Sequence, residues 1–348
     1  MATLRYITRQ ILSNTIKADN KLQVNNTRAV WLRYLNYSPI VYDESRNPAP
    51  FFFDQRIQTL LKTLTRVDFA KVFRKRKLGA SKVSDPEYKF MTDEELQESI
   101  KKAARRANKL LQIPPAVSVH KPKDRIVAKD PALQGLESCR MVFTDITFGL
   151  KDCDRLIVVR EPDGTLQEAE WELRYRMNQL YFPRKTRSLR TPKMFEDAYL
   201  ETLLDRQEYE FILDAACVQF EPDDYKYQQV TSVTYQHIND KNGFDIVRST
   251  RHFGALAFFL AWNKDIDNLL LDLIESSRID EGNCLVELYC KIHGVPIESS
   301  SELEAIEEYI EKYSSKKSAL QLAVQAYKEL AKQNDELKKG IEVAHGIS

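Results

Sequence analysis

One stretch of the sequence, residues 171–193, combines aromatic and basic side chains in a spacing that suits nucleic acid. On a helical wheel, Trp171 and Tyr175 lie opposite the apolar residues, and arginines flank this aromatic face. An aromatic ring can stack on an unpaired base while neighbouring Arg and Lys side chains bind phosphates. The seven basic residues, opposed by Glu172 alone, are Arg174, Arg176, Arg184, Lys185, Arg187, Arg190 and Lys193. We predict that these cations contact RNA or an RNA-bound neighbour; the alternative is that Trp171 packs against the β-hairpin that precedes it and the charges are merely solvated.

A second stretch, Arg248 to Gly254, has the residue types of an anion-binding helix start. The hydroxyl residues at positions 249 and 250 can each cap the apolar helix that follows, and Arg248 and Arg251 stand on either side of them. The amide groups of a helix N-terminus, together with arginines, suit a phosphate of an RNA backbone. The alternative is an internal salt bridge, for instance with Asp240 or Asp245, and the sequence favours neither.

Sequence motifs for nucleotide binding, nucleophilic catalysis and metal binding are absent. The ten glycines form neither GxGxxG nor GxxxxGK[ST], which phosphate-binding loops need. The five histidines lie in no nucleophile motif and in no i, i+4 pair, and the five cysteines include no CxxC. We therefore predict a protein that is not an enzyme and holds no cofactor and no metal. The alternative is a helical enzyme with a dispersed site drawn from Cys217, His237, Asp240 and His252.

The formal net charge of +1 conceals a gradient along the chain. Residues 1–46 carry seven basic and three acidic side chains, residues 47–199 carry 30 and 21, and residues 200–348 carry 15 and 27. A basic half suits nucleic acid, and an acidic half suits protein partners. A patchwork of solvated surface would give the same totals.

The first 42 residues have the composition of a mitochondrial transit peptide. Six Arg and Lys residues are opposed by Asp19 alone, and the apolar residues at positions 4, 7, 11 and 16 can share one helical face. The alternative is a disordered basic arm. As a transit peptide, the segment would be cleaved between Arg28 and Tyr42. No apolar run in the chain reaches the roughly 18 residues that a membrane span needs.

Periodicity predicts an α+β fold that is mainly α, with a small antiparallel β-sheet followed by an array of helices. Helices are expected at 51–64 and 92–112, the second opened by a capping box from Thr92 to Glu95. Strands are expected at 141–148, 156–160 and 165–169, and Gly164 supplies the turn of a hairpin. The helices predicted after the sheet are 170–181, 194–218, 223–239, 249–262, 265–277, 281–292, 301–313 and 315–338, with a second capping box at Ser301 to Glu304.

These elements divide the chain into four predicted parts. They are the transit peptide at 1–42, N-terminal helices with a basic extended segment at 47–135, the small β-sheet with its basic helix at 136–193, and a helical domain at 194–338.

Several ordered strings resemble one known family. They are MTDEEL at 91–96, FTDI at 143–146, VVREPDGTL at 158–166, WELRYRMNQLYFP at 171–183, FEPD at 220–223 and RSTRHFG at 248–254. Together they resemble the animal family of mitochondrial small ribosomal subunit protein twenty-two, over about residues 50–292. The extreme N-terminus and the part after Gly294 depart from the family's pattern, so contacts made there are not carried over.

The resemblance implies a structural, non-enzymatic component of the small subunit of the mitochondrial ribosome in the matrix. Such a protein would support mitochondrial translation from the body of the subunit, in contact with ribosomal RNA and neighbouring ribosomal proteins. The family implies no catalytic residues and gives no residue-by-residue list of RNA contacts. The alternative function is a matrix RNA-binding or RNA-processing factor that acts off the ribosome.

Overall fold

The computed structural model describes residues 42–74, 88–123, 125–129, 139–296 and 301–344, which all belong to one compact unit. The predicted transit peptide, apart from Tyr42, lies outside the described residues. The described part combines a small β-sheet with many helices, so the predicted α+β class that is mainly α is confirmed. No helix in these ranges is long and apolar enough to cross a membrane.

The elements follow one another in an order close to the predicted one. The helices before and after the sheet are α1 (Ala49–Phe52), α2 (Gln55–Thr65), α3 (Phe69–Phe73), α4 (Asp93–Leu110), α5 (Trp171–Tyr181), α6 (Asp197–Asp205), α7 (Tyr209–Gln219), α8 (Tyr225–Lys241), α9 (Phe244–Val247), α10 (Arg251–Trp262), α11 (Asp267–Glu275), α12 (Ile279–His293), α13 (Glu302–Lys312) and α14 (Lys317–Ala344). The strands are β1 (Ile126–Lys129), β2 (Met141–Thr144), β3 (Ile157–Arg160) and β4 (Thr165–Glu168).

The sheet is antiparallel and has the strand order β1-β4-β3-β2. Its inner face carries Ile157 and Val159, which pack with Val142 from β2 and with Leu173 and Met177 from α5. Burial of these apolar side chains fixes α5 across the sheet, because removing them from water is the main favourable term for so small a layer. The basic helix predicted at 170–181 is therefore held by its apolar side.

Two expectations about the strands were wrong in detail. The strand predicted at 141–148 ends at Thr144, because the Asp145 carboxylate accepts hydrogen bonds from the amide and hydroxyl of Thr147 and turns the chain. The sheet also gains β1, which the sequence shows only as an extended polar segment; its four residues are all exposed and lack an apolar alternation. An edge strand of this kind is defined by pairing rather than by its own pattern.

The helical part is organised around α10, which buries nine of its twelve residues, His252 to Phe258 together with Leu260 and Ala261. Its partners include α2 from the N-terminal region, whose Ile57, Leu61 and Leu64 are fully covered. The approach is close: a Cβ on Gly254 would lie 3.2 Å from Thr65 Oγ1 of α2, and 2.5 Å from Cδ1 of Ile113, which follows α4. The helix predicted at 51–64 is thus part of the same core as the helical array.

Two helix starts have the caps expected from the sequence. The Thr92 hydroxyl accepts from the Glu95 amide, and the Glu95 carboxylate accepts from the Thr92 amide, so the capping box of α4 is confirmed. The Ser301 hydroxyl likewise accepts from the Glu304 amide at the start of α13. Helix α4 is nevertheless mostly exposed, since Ala107 is its one buried residue.

Five helix ends in the array share one geometry, in which the first or second residue after the helix is left-handed, with φ between 52° and 65°. These residues are Gln207, Asn242, Lys264, Ser277 and Gly294. At each end the next amide donates to the carbonyl five positions earlier, over 2.8–3.1 Å. This is the hydrogen bond of a Schellman motif, which satisfies a helix's last carbonyls and turns the chain. The single helix predicted at 194–218 was wrong because Gln207 makes such a turn without a glycine.

The last two helices are attached to the array through Asp267, the buried first residue of α11. The Tyr309 hydroxyl donates to one carboxylate oxygen over 3.0 Å. The other oxygen accepts from the amides of Ser315 and Lys316 and from the Ser315 hydroxyl. One carboxylate therefore caps the turn between α13 and α14 and fixes it beside α11.

Replacing exposed left-handed residues by glycine is expected to stabilise the fold. Lys264→Gly and Ser277→Gly should each raise the free energy of unfolding by about 0.5–1 kcal/mol, because a left-handed conformation is strained for residues with a Cβ. Urea unfolding followed by circular dichroism measures the change. The matched control is Lys291→Gly, an exposed position inside α12, which should lose roughly 1 kcal/mol. A loss at position 264 or 277 would contradict this account of the corners.

Candidate nucleic-acid interface

The nine cations predicted to contact RNA divide into two groups. Arg174 and Arg248 are buried, and Arg184, Arg187 and Arg251 form salt bridges with carboxylates of this chain. Arg176, Lys185, Arg190 and Lys193 are exposed, and within the described part of the chain their side chains have no hydrogen bond or salt bridge. The structure therefore leaves four of the nine with their charge directed to solvent.

Arg174 points from α5 into the protein. Its guanidinium donates to the carbonyls of Cys153 and Arg155 and lies 5.3 Å from the centre of the Trp171 ring. Burial lowers the pKa of Arg174 below the usual arginine value. Its donors are therefore used to hold the segment before β3 against α5, and we do not include it in the contact surface proposed below.

Trp171 is covered by a segment far away in the sequence. Its ring stacks on His120, with centroids 3.7 Å apart and planes inclined by 9°, and its indole N–H donates to the Lys121 carbonyl. His120 Nδ1 also lies 2.9 Å from a carboxylate oxygen of Asp223. The internal-packing alternative for Trp171 thus describes the structure, with the extended segment 120–123 as the partner rather than the hairpin.

The basic segment after α5 is held in place by acidic residues. The Arg184 guanidinium lies 2.7 Å from Asp152 Oδ2 and 2.7 Å from Glu221 Oε1, and Arg187 lies 2.9 Å from the same Glu221 oxygen. A network of charges sharing one carboxylate holds its geometry better than an isolated surface pair. These two arginines therefore position the segment.

Two glutamine side chains complete the attachment of the basic segment. The Gln179 amide donates to the Arg187 carbonyl over 2.8 Å. The Gln219 side chain accepts from the Ser188 amide and donates to the Ser188 carbonyl, in the manner of a backbone pair. The segment is thereby anchored to α5 and to α7, so the cations it carries are presented from a fixed backbone.

The anion site predicted at Arg248 is filled by the protein's own carboxylates. Its guanidinium lies 2.6 Å from Asp272 on α11 and 3.0 Å from Glu281 on α12, and Asp245 lies 3.4 Å away. Thr250 does cap α10, as expected, by accepting from the His252 amide. Burial raises the pKa of Asp272, and the neighbouring Arg248 charge opposes that rise. The cluster binds three helices together.

Arg251 forms a second internal pair nearby. Its Nη2 lies 2.7 Å from Asp214 Oδ1 on α7, and His252 Nε2 lies 2.9 Å from the same oxygen. Burial lowers the pKa of His252, although Asp214 partly offsets the effect. The arrangement joins α7 to α10 through one carboxylate.

The residues considered for a dispersed enzyme site do not share one cleft among the described residues. Cys217 lines a cleft with Lys109, Tyr227 and Arg251, but His237, Asp240 and His252 do not line it. His237 Nδ1 lies 3.0 Å from the Tyr209 hydroxyl in the core, and burial raises the pKa of the Cys217 thiol. Within the described ranges, no three His, Cys, Asp or Glu residues are arranged to hold a metal ion.

The chain matches known proteins over most of its length. Residues 50–294 match the family described as Mitochondrial 28S ribosomal protein S22. The chain is 36% identical over 287 residues to small ribosomal subunit protein mS22 of Bos taurus, which covers 80% of this chain and 79% of the bovine protein. It is 34% identical over 288 residues to the protein of the same description in Mus musculus, covering 81% and 79% of the two chains.

Removing the buried guanidinium at position 248 is expected to destabilise the protein strongly. Arg248→Met leaves Asp272 and the buried Glu281 without their main partner, and breaking one side of a buried charge pair costs about 3–5 kcal/mol. Chemical unfolding of the purified chain measures the loss. Arg190→Met, an exposed position, serves as control and should change stability by less than about 0.5 kcal/mol. Equal stability of the two variants would contradict the structural role of Arg248.

Proposed function

Because this chain belongs to the family of mitochondrial 28S ribosomal protein S22, we propose that it is a structural component of the small subunit of the mitochondrial ribosome. The observation that carries the proposal is the extent of the match, which covers about four fifths of this chain and of two mammalian relatives. The role is non-catalytic, and its place is the mitochondrial matrix. The match begins at residue 50, after the segment that we propose as the transit peptide, residues 1–42.

Ribosomal RNA is the proposed partner of the basic segment. Lys185, Arg190 and Lys193 are exposed on this segment, whose backbone is fixed to α5 and α7, and Arg176 is exposed on α5 beside it. Four cations on a fixed backbone lose little conformational freedom when they meet phosphates, and each contact releases counterions. Arg184 and Arg187 contribute by holding the segment, and Arg174, Arg248 and Arg251 act inside the fold.

Neighbouring ribosomal proteins are the proposed partners of the acidic half. Residues 200–348 carry 27 acidic side chains and 15 basic ones, a balance that repels phosphates at short range. The long helix α14 also exposes Leu322, Leu330 and Leu337. Exposed leucines along one helix suit contact with protein rather than with RNA.

Sedimentation of a mitochondrial lysate on a sucrose gradient tests the function. The chain is expected to sediment with small-subunit RNA and with whole ribosomes, and to remain there at moderate salt. A peak at the top of the gradient would reject a ribosomal role and favour a matrix RNA-binding or RNA-processing factor.

Charge reversal tests the basic segment. Changing Arg176, Lys185, Arg190 and Lys193 to Glu is expected to lower the fraction of the chain in small subunits at least tenfold at moderate salt, because four phosphate contacts become repulsive. The thermal unfolding midpoint of this variant should stay within a few degrees of that of the unmodified chain, since none of the four side chains has a partner in the described fold.

The matched control reverses four cations of the acidic half that lie away from α14. Arg206, Lys241, Lys264 and Lys291 are exposed, so their change to Glu alters the net charge equally without touching the basic segment or α14. This control should incorporate like the unmodified chain. If the two variants incorporate equally well, the basic segment is not an RNA contact.

A further inference from the structure

We propose that residues 145–156, here called the β2–β3 loop, dock into an apolar pocket on a neighbouring protein of the small subunit. The inference rests on the proposed function and adds a second contact surface with a partner of different chemistry. The β2–β3 loop would contact its partner through apolar side chains, whereas the basic segment would contact phosphates.

The β2–β3 loop exposes large apolar side chains at a density unusual for a surface loop. Phe148 is 92% exposed, Ile146 67% and Leu156 52%, and Leu150 and the nearby Phe143 of β2 are exposed as well. Single exposed apolar residues are ordinary, but five within fourteen residues form a patch of the kind that marks interaction sites. Surface loops are otherwise mostly polar.

Arg155 holds the shape of the β2–β3 loop from inside. Its side chain is only 2% exposed, and its guanidinium donates to the carbonyls of Asp145, Thr147 and Leu150 over 2.8–3.2 Å. The same guanidinium lies 3.8 Å from the centre of the Phe182 ring. One buried cation therefore closes the loop on itself and joins it to the end of α5.

Helix α5 supplies further donors to the β2–β3 loop. Arg174 donates to the Cys153 and Arg155 carbonyls, and Asn178 donates to the Asp152 carbonyl over 3.0 Å. From the basic segment, Arg184 also reaches the Asp152 carboxylate. Six loop carbonyls are thus fixed by three buried side chains, Arg155, Arg174 and Asn178.

This arrangement presents the apolar side chains in advance of binding. Burying a guanidinium group is unfavourable unless its donors are paired. Here the Nη donors of Arg155 and Arg174 are paired with loop carbonyls, although the buried Nε of each has no partner in the described fold. A loop ordered before binding loses little entropy when it meets a partner, so its exposed aromatic side chain can act as an anchor. The core of the sheet needs none of Ile146, Phe148 or Leu150, since its apolar cluster is formed by other residues.

The chemistry of the β2–β3 loop selects protein over RNA as its partner. The exposed apolar side chains include aliphatic ones, which have no flat ring to stack on a base. Asp152 is paired with Arg184 and Arg155 is turned inward, so the charges left around them are Asp145 and Asp154 against the exposed Lys151. This slightly acidic rim disfavours phosphates and suits an apolar pocket bordered by Lys or Arg.

Photo-crosslinking identifies the partner. The full-length chain with a benzophenone amino acid in place of Phe148 is produced in cells and imported into mitochondria. The mitochondria are irradiated, and their lysate is separated on a sucrose gradient. The expected result is a covalent link to another protein in the small-subunit fraction. Links to RNA alone, to a second copy of this chain, or to nothing would each overturn the inference.

Substitution gives an independent test. Ile146→Ser with Phe148→Ser should reduce retention in the small subunit at high salt by about tenfold or more, with unchanged thermal unfolding, because a few anchor residues carry most of the binding free energy of an interface. Arg155→Met should reduce retention as well. Ile146 and Phe148 remain in this variant, but the loop carbonyls lose the guanidinium that donates hydrogen bonds to them. Tyr88→Ser, at a residue that is also 92% exposed, is the control and should be retained like the unmodified chain. Normal retention of the double variant would overturn the inference.

The two proposals fail differently. If the unmodified chain stays at the top of the gradient, the ribosomal role is rejected and the inference falls with it. If the unmodified chain sediments with the subunit but the β2–β3 loop links to no protein, the ribosomal role stands and only the inference is lost.

Discussion

A guanidinium group inside a protein must have its charge and donors satisfied, and this constraint decides which cations of the chain remain for partners. Arg248 meets it with two carboxylates. Arg155 and Arg174 meet it in part, by pairing their Nη donors with backbone carbonyls while their buried Nε atoms have no partner in the described fold. The first arrangement joins three helices at the centre of the array. The second gives shape to a loop that has little apolar core of its own.

The same constraint explains how one short region can offer two unlike surfaces. Arg184 bridges Asp152 of the β2–β3 loop and Glu221 after α7, so the basic segment and the apolar loop share one support. The Arg184 charge, which would otherwise add to the basic surface, is neutralised where the loop and the segment meet. The exposed cations and the exposed apolar side chains are therefore held by a common set of contacts from α5, and the two surfaces keep a constant relation to that helix.

Local patterns in the sequence predicted much of the fold and part of the site. The capping box of α4 and the Gly164 turn depend on residues a few positions apart, so short strings reveal them. The partners of Arg248 lie 24 and 33 positions away, and no local rule indicates which carboxylates the fold brings to it. The corner at Gln207 was missed for another reason: the left-handed turn is stabilised by backbone hydrogen bonds, and its usual marker, glycine, is absent. Seven cations counted along residues 171–193 likewise became four once burial and salt bridges were known.

The attachment of α13 and α14 has a mechanical consequence. Their turn is held by Asp267, the first residue of α11, and Ile306, Tyr309 and Ile310 of α13 are buried. The same helix α11 carries Asp272, which pairs with Arg248. A force on the C-terminal helices is therefore transmitted through α11 to the charge cluster that joins the helices of the array, and a partner bound at the C-terminal end would load the core directly.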